Sequence, residues 1–203
     1  EGRRCVRGVE LANRESHSSW KERLKSLRQR SLHGVEFVVS DDHAGLRRAI
    51  QEVLPEAVWQ RCYVPLLRNA LDYLPRKADD DCLMELRWIY DRRNLEEARQ
   101  DVVAWLAQWS KRFPQRGNWV EENIEETLSF YRSLRQHHKH RKSTNMLERR
   151  MEEIKRRTLL VRIFPNVAAC LRLIRALAAE MYENWIEETR HLNMEPLAEQ
   201  KKE

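Results

Sequence analysis

A change of hydrophobic periodicity near Leu66 divides the sequence into two parts. Before this position, short runs of β-branched and aromatic residues alternate with helical patterns. We predict strands at residues 5–11, 35–39 and 58–64, and helices at residues 16–30 and 43–54. Strands that alternate with helices are typical of an α/β sheet with crossover helices.

After Leu66 only helical patterns remain. Along one predicted helix, apolar residues recur every three or four positions, at Leu95, Ala98, Val102, Leu106 and Trp109. The 203 residues include only 5 Gly and 6 Pro, and ordinary soluble chains carry roughly 7% and 5% of these turn formers. We therefore predict a helix-rich α/β fold. Four tryptophans lie on helical stripes and are predicted to be core residues rather than base-stacking surfaces: Trp88, Trp105, Trp109 and Trp185.

Composition excludes several kinds of protein. No stretch approaches the roughly 20 consecutive apolar residues that a membrane helix needs. Residues 1–7 are not followed by the apolar stretch of a secretory signal, so we expect a cytoplasmic protein. The cysteines, which form no Cys-x-x-Cys pair, are Cys5, Cys62, Cys82 and Cys170. This spacing disfavours a zinc ribbon and a disulfide framework, and we expect reduced, mostly buried thiols.

Residues 135–157 form a basic stretch, with nine Lys or Arg against three Glu. Cations that neutralise phosphates release condensed counterions, so such a stretch suits a nucleic acid. A solvated helix face is the open alternative. The candidate phosphate contacts are Lys139, Arg141, Lys142, Arg149, Lys155, Arg156 and Arg157. The histidines His137, His138 and His140 are not predicted to bind a metal, because adjacent side chains of a helix diverge and no Cys or carboxylate accompanies them at zinc-finger spacing.

Two carboxylates are candidates for chemistry. Asp41 follows the most strand-like segment, and catalytic groups of open α/β sheets collect at the carboxyl ends of strands. The alternative is that Asp41 or Asp42 caps the next helix. Glu148 follows the first half of the basic stretch, and its alternative role is a capping box with Asn145. Paired carboxylates that hold Mg²⁺ or Mn²⁺ are a common device for phosphoryl transfer on nucleic acids.

Four motifs, in this order, resemble those of the Mutator-type transposases of bacterial insertion sequences, which belong to the DDE transposases. The first is Val39-Ser40-Asp41-Asp42-His43-Ala44-Gly45-Leu46. The second is Gln60-Arg61-Cys62 with Leu67-Arg68-Asn69. The third is Ser143-Thr144-Asn145-Met146-Leu147-Glu148. The fourth is Arg156-Arg157-Thr158 with Phe164-Pro165-Asn166. The resemblance extends from about Gly8 to the end of the chain.

The resemblance implies a ribonuclease H-like fold with a helical insertion. It places a partial α/β core at residues 1–65, the insertion at 66–134, a completing segment at 135–190 and a tail at 191–203. Asp41 looks like the second carboxylate of the Asp-Asp-Glu triad and Glu148 like the third. The implied chemistry is Mg²⁺- or Mn²⁺-assisted cleavage at the terminal inverted repeats of the element, followed by joining to target DNA. We also expect a homo-oligomer associated with the bacterial nucleoid, and no membrane partner.

The sequence departs from the family pattern in two ways. The first triad Asp belongs on the opening strand of the sheet, and no Asp precedes Asp41 in this chain. Pro65 stands where the family pattern has a His, so a backbone donor and a titratable ring are both missing there. We predict that this chain alone neither cleaves nor joins DNA. The alternative function is that of a regulatory transposase fragment, which acts by binding DNA or by joining full-length subunits.

Overall fold

The computed structural model describes residues 2–10, 15–71, 79–161, 163–187 and 192–196. Two strands are present in these residues, β1 (Phe37–Ser40) and β2 (Val58–Arg61). The helices are α1 (His17–Gln29), α2 (Ala44–Val53), α3 (Tyr63–Leu71), α4 (Asp79–Trp88), α5 (Leu95–Trp109), α6 (Pro114–Asn123), α7 (His138–Arg141), α8 (Asn145–Leu159) and α9 (Val167–Glu187). Short 3-10 helices follow α4 and lie between α6 and α7. The predicted helix-rich α/β composition is confirmed.

The described residues divide into two compact units. We call Gly34–Thr144 the sheet unit, and Glu1–His33 together with Asn145–Glu203 the terminal unit. The sheet unit contains both strands and helices α2 to α7, and the terminal unit contains α1, α8 and α9. The segment boundaries at residues 65, 134 and 190 that the resemblance implies stay a prediction.

In the sheet unit, β1 and β2 pair in parallel, with Phe37 opposite Val58 and Ser40 opposite Arg61. Helix α2 connects them, as parallel strands require a crossover. The predicted strand at residues 58–64 is too long, because α3 already begins at Tyr63. Pro65 therefore lies in the first turn of α3, where a backbone N–H has no partner within the helix and a proline is tolerated.

A buried polar side chain joins the sheet to the helices of this unit. Gln60 is fully buried on β2, and its Nε2 donates to the Thr127 carbonyl at 2.5 Å. Its Oε1 accepts from the Phe130 backbone N–H at 2.8 Å. Buried amides stabilise a fold only when they are hydrogen-bonded. These bonds fix β2 to the 3-10 segment that follows α6.

The core of the sheet unit confirms two of the predicted tryptophans. Trp105 and Trp109 are 3% and 8% exposed, and their Nε1 atoms donate to the Cys82 carbonyl and to Glu85. The prediction for Trp88 is wrong, because this side chain is 49% exposed. Leu86 lies on the inward face of α4. Trp88 follows two residues later, so its side chain is rotated by about 200° around the helix and points away from the core.

In the terminal unit, α8 packs against α9, Ile154 and Ala178 are buried on these two helices, and Trp185 is buried as predicted. Helix α1 matches its prediction, with Ser16 as N-cap accepting from the Ser19 N–H. The predicted strand at residues 5–11 is wrong for its described part, because residues 5–10 form no regular structure and Leu11 lies outside the described residues. An extended apolar run becomes a strand only where another strand pairs with it. In this structure the segment at residues 2–10 forms isolated hydrogen bonds instead, such as the one from the Leu192 N–H to the Gly2 carbonyl at 3.0 Å.

The cysteine prediction is half right. Cys62 and Cys82 are buried, Cys170 is partly buried, and Cys5 is exposed in the irregular segment at the start of the terminal unit. None of these four described cysteines forms a disulfide. Of the predicted tail, residues 192–196 are described and the others lie outside the described residues. Among the described helices, none combines the length and apolar character needed to cross a membrane.

Candidate acidic site and nucleic-acid interface

Asp41 lies at the carboxyl end of β1, directly after the buried Ser40, and its side chain is exposed. The backbone is fixed on both sides, since the Asp41 carbonyl accepts from Ser40 Oγ at 3.0 Å and from the His43 N–H at 2.9 Å. The capping alternative is wrong. His43 is the N-cap of α2, and its Nδ1 accepts from the Leu46 N–H at 3.1 Å. The Asp41 carboxylate makes no ion pair or hydrogen bond within the described part of the chain.

The next carboxylate has a structural role. Asp42 accepts from Arg61 at 3.0 Å, and the Arg61 side chain is only 5% exposed. Arg61 ends β2 and also donates to Asn123 Oδ1 at 2.7 Å. A buried guanidinium needs such partners, because burying an unpaired charge is costly. This contact ties together the carboxyl ends of the two strands, and the sequence signal for it was only the Gln60-Arg61-Cys62 motif.

Glu148 is partly buried on the first turns of α8, in the terminal unit. Asp41 belongs to the sheet unit, so the two predicted catalytic carboxylates lie in different units. Helix α8 begins at Asn145 itself, which makes Asn145 the first helical residue rather than the N-cap of a capping box. Glu152, one turn further along the same helix, is exposed.

Four of the seven predicted phosphate contacts already have partners. Arg156 bonds to Glu153 at 2.8 Å, and Arg157 bonds to Glu153 at 2.7 Å and to Glu180 at 3.0 Å. Hydrogen bonds from Arg156 and then Arg157 lower the pKa of Glu153 to about 2. In the sheet unit, Lys142 pairs with Asp91 at 2.7 Å, and the Arg141 guanidinium lies 5.2 Å from the centre of the Phe37 ring.

The remaining three predicted contacts are Lys139, Arg149 and Lys155. All three are exposed, and none of them makes an ion pair with another described residue. An exposed cation without a protein partner can meet a phosphate without first breaking a bond. That these three residues contact DNA stays a prediction.

The histidines of the basic stretch have structural surroundings. His137 is 1% exposed. The His138 ring meets Phe130 and Tyr131 edge-on, at 5.1 and 5.2 Å between ring centres, and its Nε2 lies 2.9 Å from the Ser133 carbonyl. Burial lowers the pKa of His138, which favours a neutral ring. The prediction against a histidine metal site stays a prediction.

Comparison with known proteins decides the family. The sequence model of the family described as "Transposase, Mutator family" matches residues 1–188. The chain belongs to the Mutator family of transposases. The resemblance carried by the four motifs is thereby confirmed over nearly the whole sequence.

Several Mutator-family relatives are transposases of insertion sequence elements. The chain is 64% identical over 202 residues to the transposase of ISRM5 from Rhizobium meliloti, covering 100% of this chain and 51% of the relative. It is 38% identical to the transposase of IS406 from Burkholderia multivorans, covering 96% and 50%. It is 29% identical to the transposase of IS256 in transposon Tn4001 from Staphylococcus aureus, covering 94% and 49%. The chain thus spans about half the length of these relatives.

Proposed function

We propose that this chain is part of the DNA-cleaving and DNA-joining region of an insertion-sequence transposase, and that its core is ribonuclease H-like. In this proposal Asp41 and Glu148 are the second and third carboxylates of a DDE-type site. The substrates are the terminal inverted repeats of the element and a target DNA, and the working form is a homo-oligomer at the nucleoid. The observation that carries the proposal is the Asp41 carboxylate, which is exposed at the end of a parallel strand. It does not cap the following helix, because His43 is the N-cap of α2.

The donor atoms suit a hard divalent cation. Carboxylate oxygens are the ligands that Mg²⁺ and Mn²⁺ prefer in proteins. Asp41 offers a carboxylate that no described residue occupies. Glu148 follows Thr144, the last residue of the sheet unit, by four positions, and four residues span at most about 14 Å. Chain connectivity alone therefore keeps Glu148 close to the segment that ends the sheet unit. When bound, the cation would polarise a phosphodiester and lower the pKa of a bound water.

The first carboxylate of the triad has no candidate in these 203 residues. No Asp precedes Asp41, and neither Glu10 nor Glu15 lies in a motif that would make it a substitute. A two-metal site that lacks one carboxylate binds its ions weakly and misplaces them. We therefore expect metal binding by this chain without DNA cleavage or strand transfer.

Calorimetry with Mn²⁺ tests the proposed site. The intact chain is compared with the Asp41→Ala, Glu148→Ala double variant, and with Glu152→Ala as the matched control, because Glu152 is an exposed carboxylate one turn along the same helix. We expect binding by the intact chain and the control, and a loss of at least about tenfold in affinity in the double variant.

Equal binding by the intact chain and the double variant would show that Asp41 and Glu148 are not the ligands. The same three proteins are then incubated with duplex DNA and Mn²⁺. Strand transfer by the intact chain, abolished in the double variant, would contradict the expected inactivity while supporting the two ligands.

A second candidate function rests on the three exposed cations Lys139, Arg149 and Lys155. Because they are available to phosphates, the chain can bind DNA whether or not it binds a metal. A fragment of this kind would regulate transposition by occupying DNA or by joining full-length subunits. Salt-dependent DNA binding together with no Mn²⁺ binding would favour this function over the catalytic one.

A further inference from the structure

Cys62 is placed between the strand end that bears Asp41 and the segment that leads to Glu148. It is fully buried, and it follows β2 directly. Its backbone N–H donates to the Ser40 carbonyl at 2.8 Å, and Ser40 is the residue before Asp41. The position of Cys62 is therefore fixed by the same pair of strands that presents Asp41.

The Cys62 thiol makes two contacts with Thr144. Its Sγ accepts from the Thr144 backbone N–H at 3.3 Å and from the Thr144 Oγ1 at 3.2 Å. One further bond joins the same two segments, from the Tyr63 N–H to the Lys142 carbonyl at 3.3 Å. All of these residues lie in the sheet unit. Thr144 is covalently next to Asn145, the first residue of α8, which carries Glu148.

We propose that Cys62 is a positioning residue of the acidic site. Its backbone holds the strand end at Asp41, and its sulfur holds Thr144, the residue before the helix that carries Glu148. A site that needs two carboxylates at one cation requires each of them to be held by residues outside the ligand set. The inference rests on the proposed function, in which Asp41 and Glu148 are the ligands. It requires no chemistry from the thiol itself, which acts as a buried hydrogen-bond acceptor.

The first measurement is amide hydrogen exchange at Thr144, which does not depend on any metal. The variants are Cys62→Ala, which removes the acceptor, and Cys62→Ser, which keeps a shorter one. The matched control is Cys82→Ala, because Cys82 is a second fully buried cysteine of the same unit and contacts Arg116 rather than Thr144. We expect about tenfold faster exchange at Thr144 in Cys62→Ala, a smaller change in Cys62→Ser and no change in Cys82→Ala.

The second measurement is Mn²⁺ affinity by calorimetry on the same 203-residue proteins. We expect Cys62→Ala to weaken binding by about tenfold, Cys62→Ser to recover part of the affinity, and Cys82→Ala to bind as the intact chain does. Thr144→Val, which removes only the hydroxyl donor, should weaken binding less than Cys62→Ala. If Cys62→Ala does not fold, the Mn²⁺ affinity of Thr144→Val still tests the contact between Cys62 and Thr144.

Unchanged Thr144 exchange in both Cys62→Ala and Thr144→Val would overturn the inference. So would Mn²⁺ affinity that falls equally in Cys62→Ala and Cys82→Ala, since that result shows a general loss of packing. If the intact chain binds no Mn²⁺, the proposed function fails and Cys62 has no metal site to position. The exchange rates then report only whether the sulfur holds Thr144, so the two failures are distinguishable.

Discussion

At the scale of single residues, the adjacent carboxylates Asp41 and Asp42 have opposite roles. Asp42 neutralises the nearly buried Arg61, whereas the Asp41 carboxylate has no partner among the described residues. A carboxylate that stabilises nothing in the fold is available for a ligand. Sequence reasoning treated the two as equivalent candidates for capping, and it could not see that His43 takes this place through Nδ1.

This difference predicts unequal losses of stability. Asp42→Ala leaves the buried Arg61 without its nearest carboxylate and should lower the free energy of unfolding by about 1–3 kcal/mol. Asp41→Ala should change it by less than about 0.5 kcal/mol. Urea denaturation of the two variants beside the intact chain measures both values. Equal losses would mean that Asp41 has a structural partner after all.

At the scale of elements, α8 and α9 are joined by the charges around Glu153. Its pKa, lowered from 4.5 to about 2 by Arg156 and Arg157, is below the value of an unfolded chain. The interaction therefore stabilises the folded state above about pH 4.5, and this contribution is lost as the pH falls towards 2. Carbon NMR of the Glu153 carboxyl should show the low midpoint. An Arg156→Ala, Arg157→Ala variant should raise it, and an unchanged midpoint would contradict the assignment.

The elements show how far sequence reasoning reached. Local signals predicted β1, α1 and α2, because caps, β-branched runs and apolar spacing act within a few residues. The strand at residues 5–11 failed because pairing depends on a partner that the local pattern does not contain. The bonds from Arg156 and Arg157 to Glu153 follow helical spacings of three and four residues, so the sequence contains the signal for them. The bond from Arg157 to Glu180 depends on the packing of α8 against α9, for which the local sequence contains no signal.

At the scale of the whole molecule, the available cations predict how DNA binding responds to salt. Lys155→Ala should lower the slope of log affinity against log salt by about 0.9, the amount expected for one lost phosphate contact. Arg156→Ala should lower it less, because this guanidinium is already bonded to Glu153. Fluorescence anisotropy with a labelled duplex over a salt series measures both slopes. Equal slopes for the two variants would show that Arg156 contacts a phosphate despite its ion pair with Glu153.

The contact between Thr144 and Cys62 also bears on the order of folding. It joins positions 82 residues apart, and closing so long a loop before the intervening helices form is entropically unfavourable. We therefore expect the two strand ends to pair early through α2, and the segment that leads to Glu148 to dock after helices α3 to α7 have folded. A mutation deep in that helical core, which changes neither Asp41 nor Glu148, should therefore delay or abolish assembly of the proposed site.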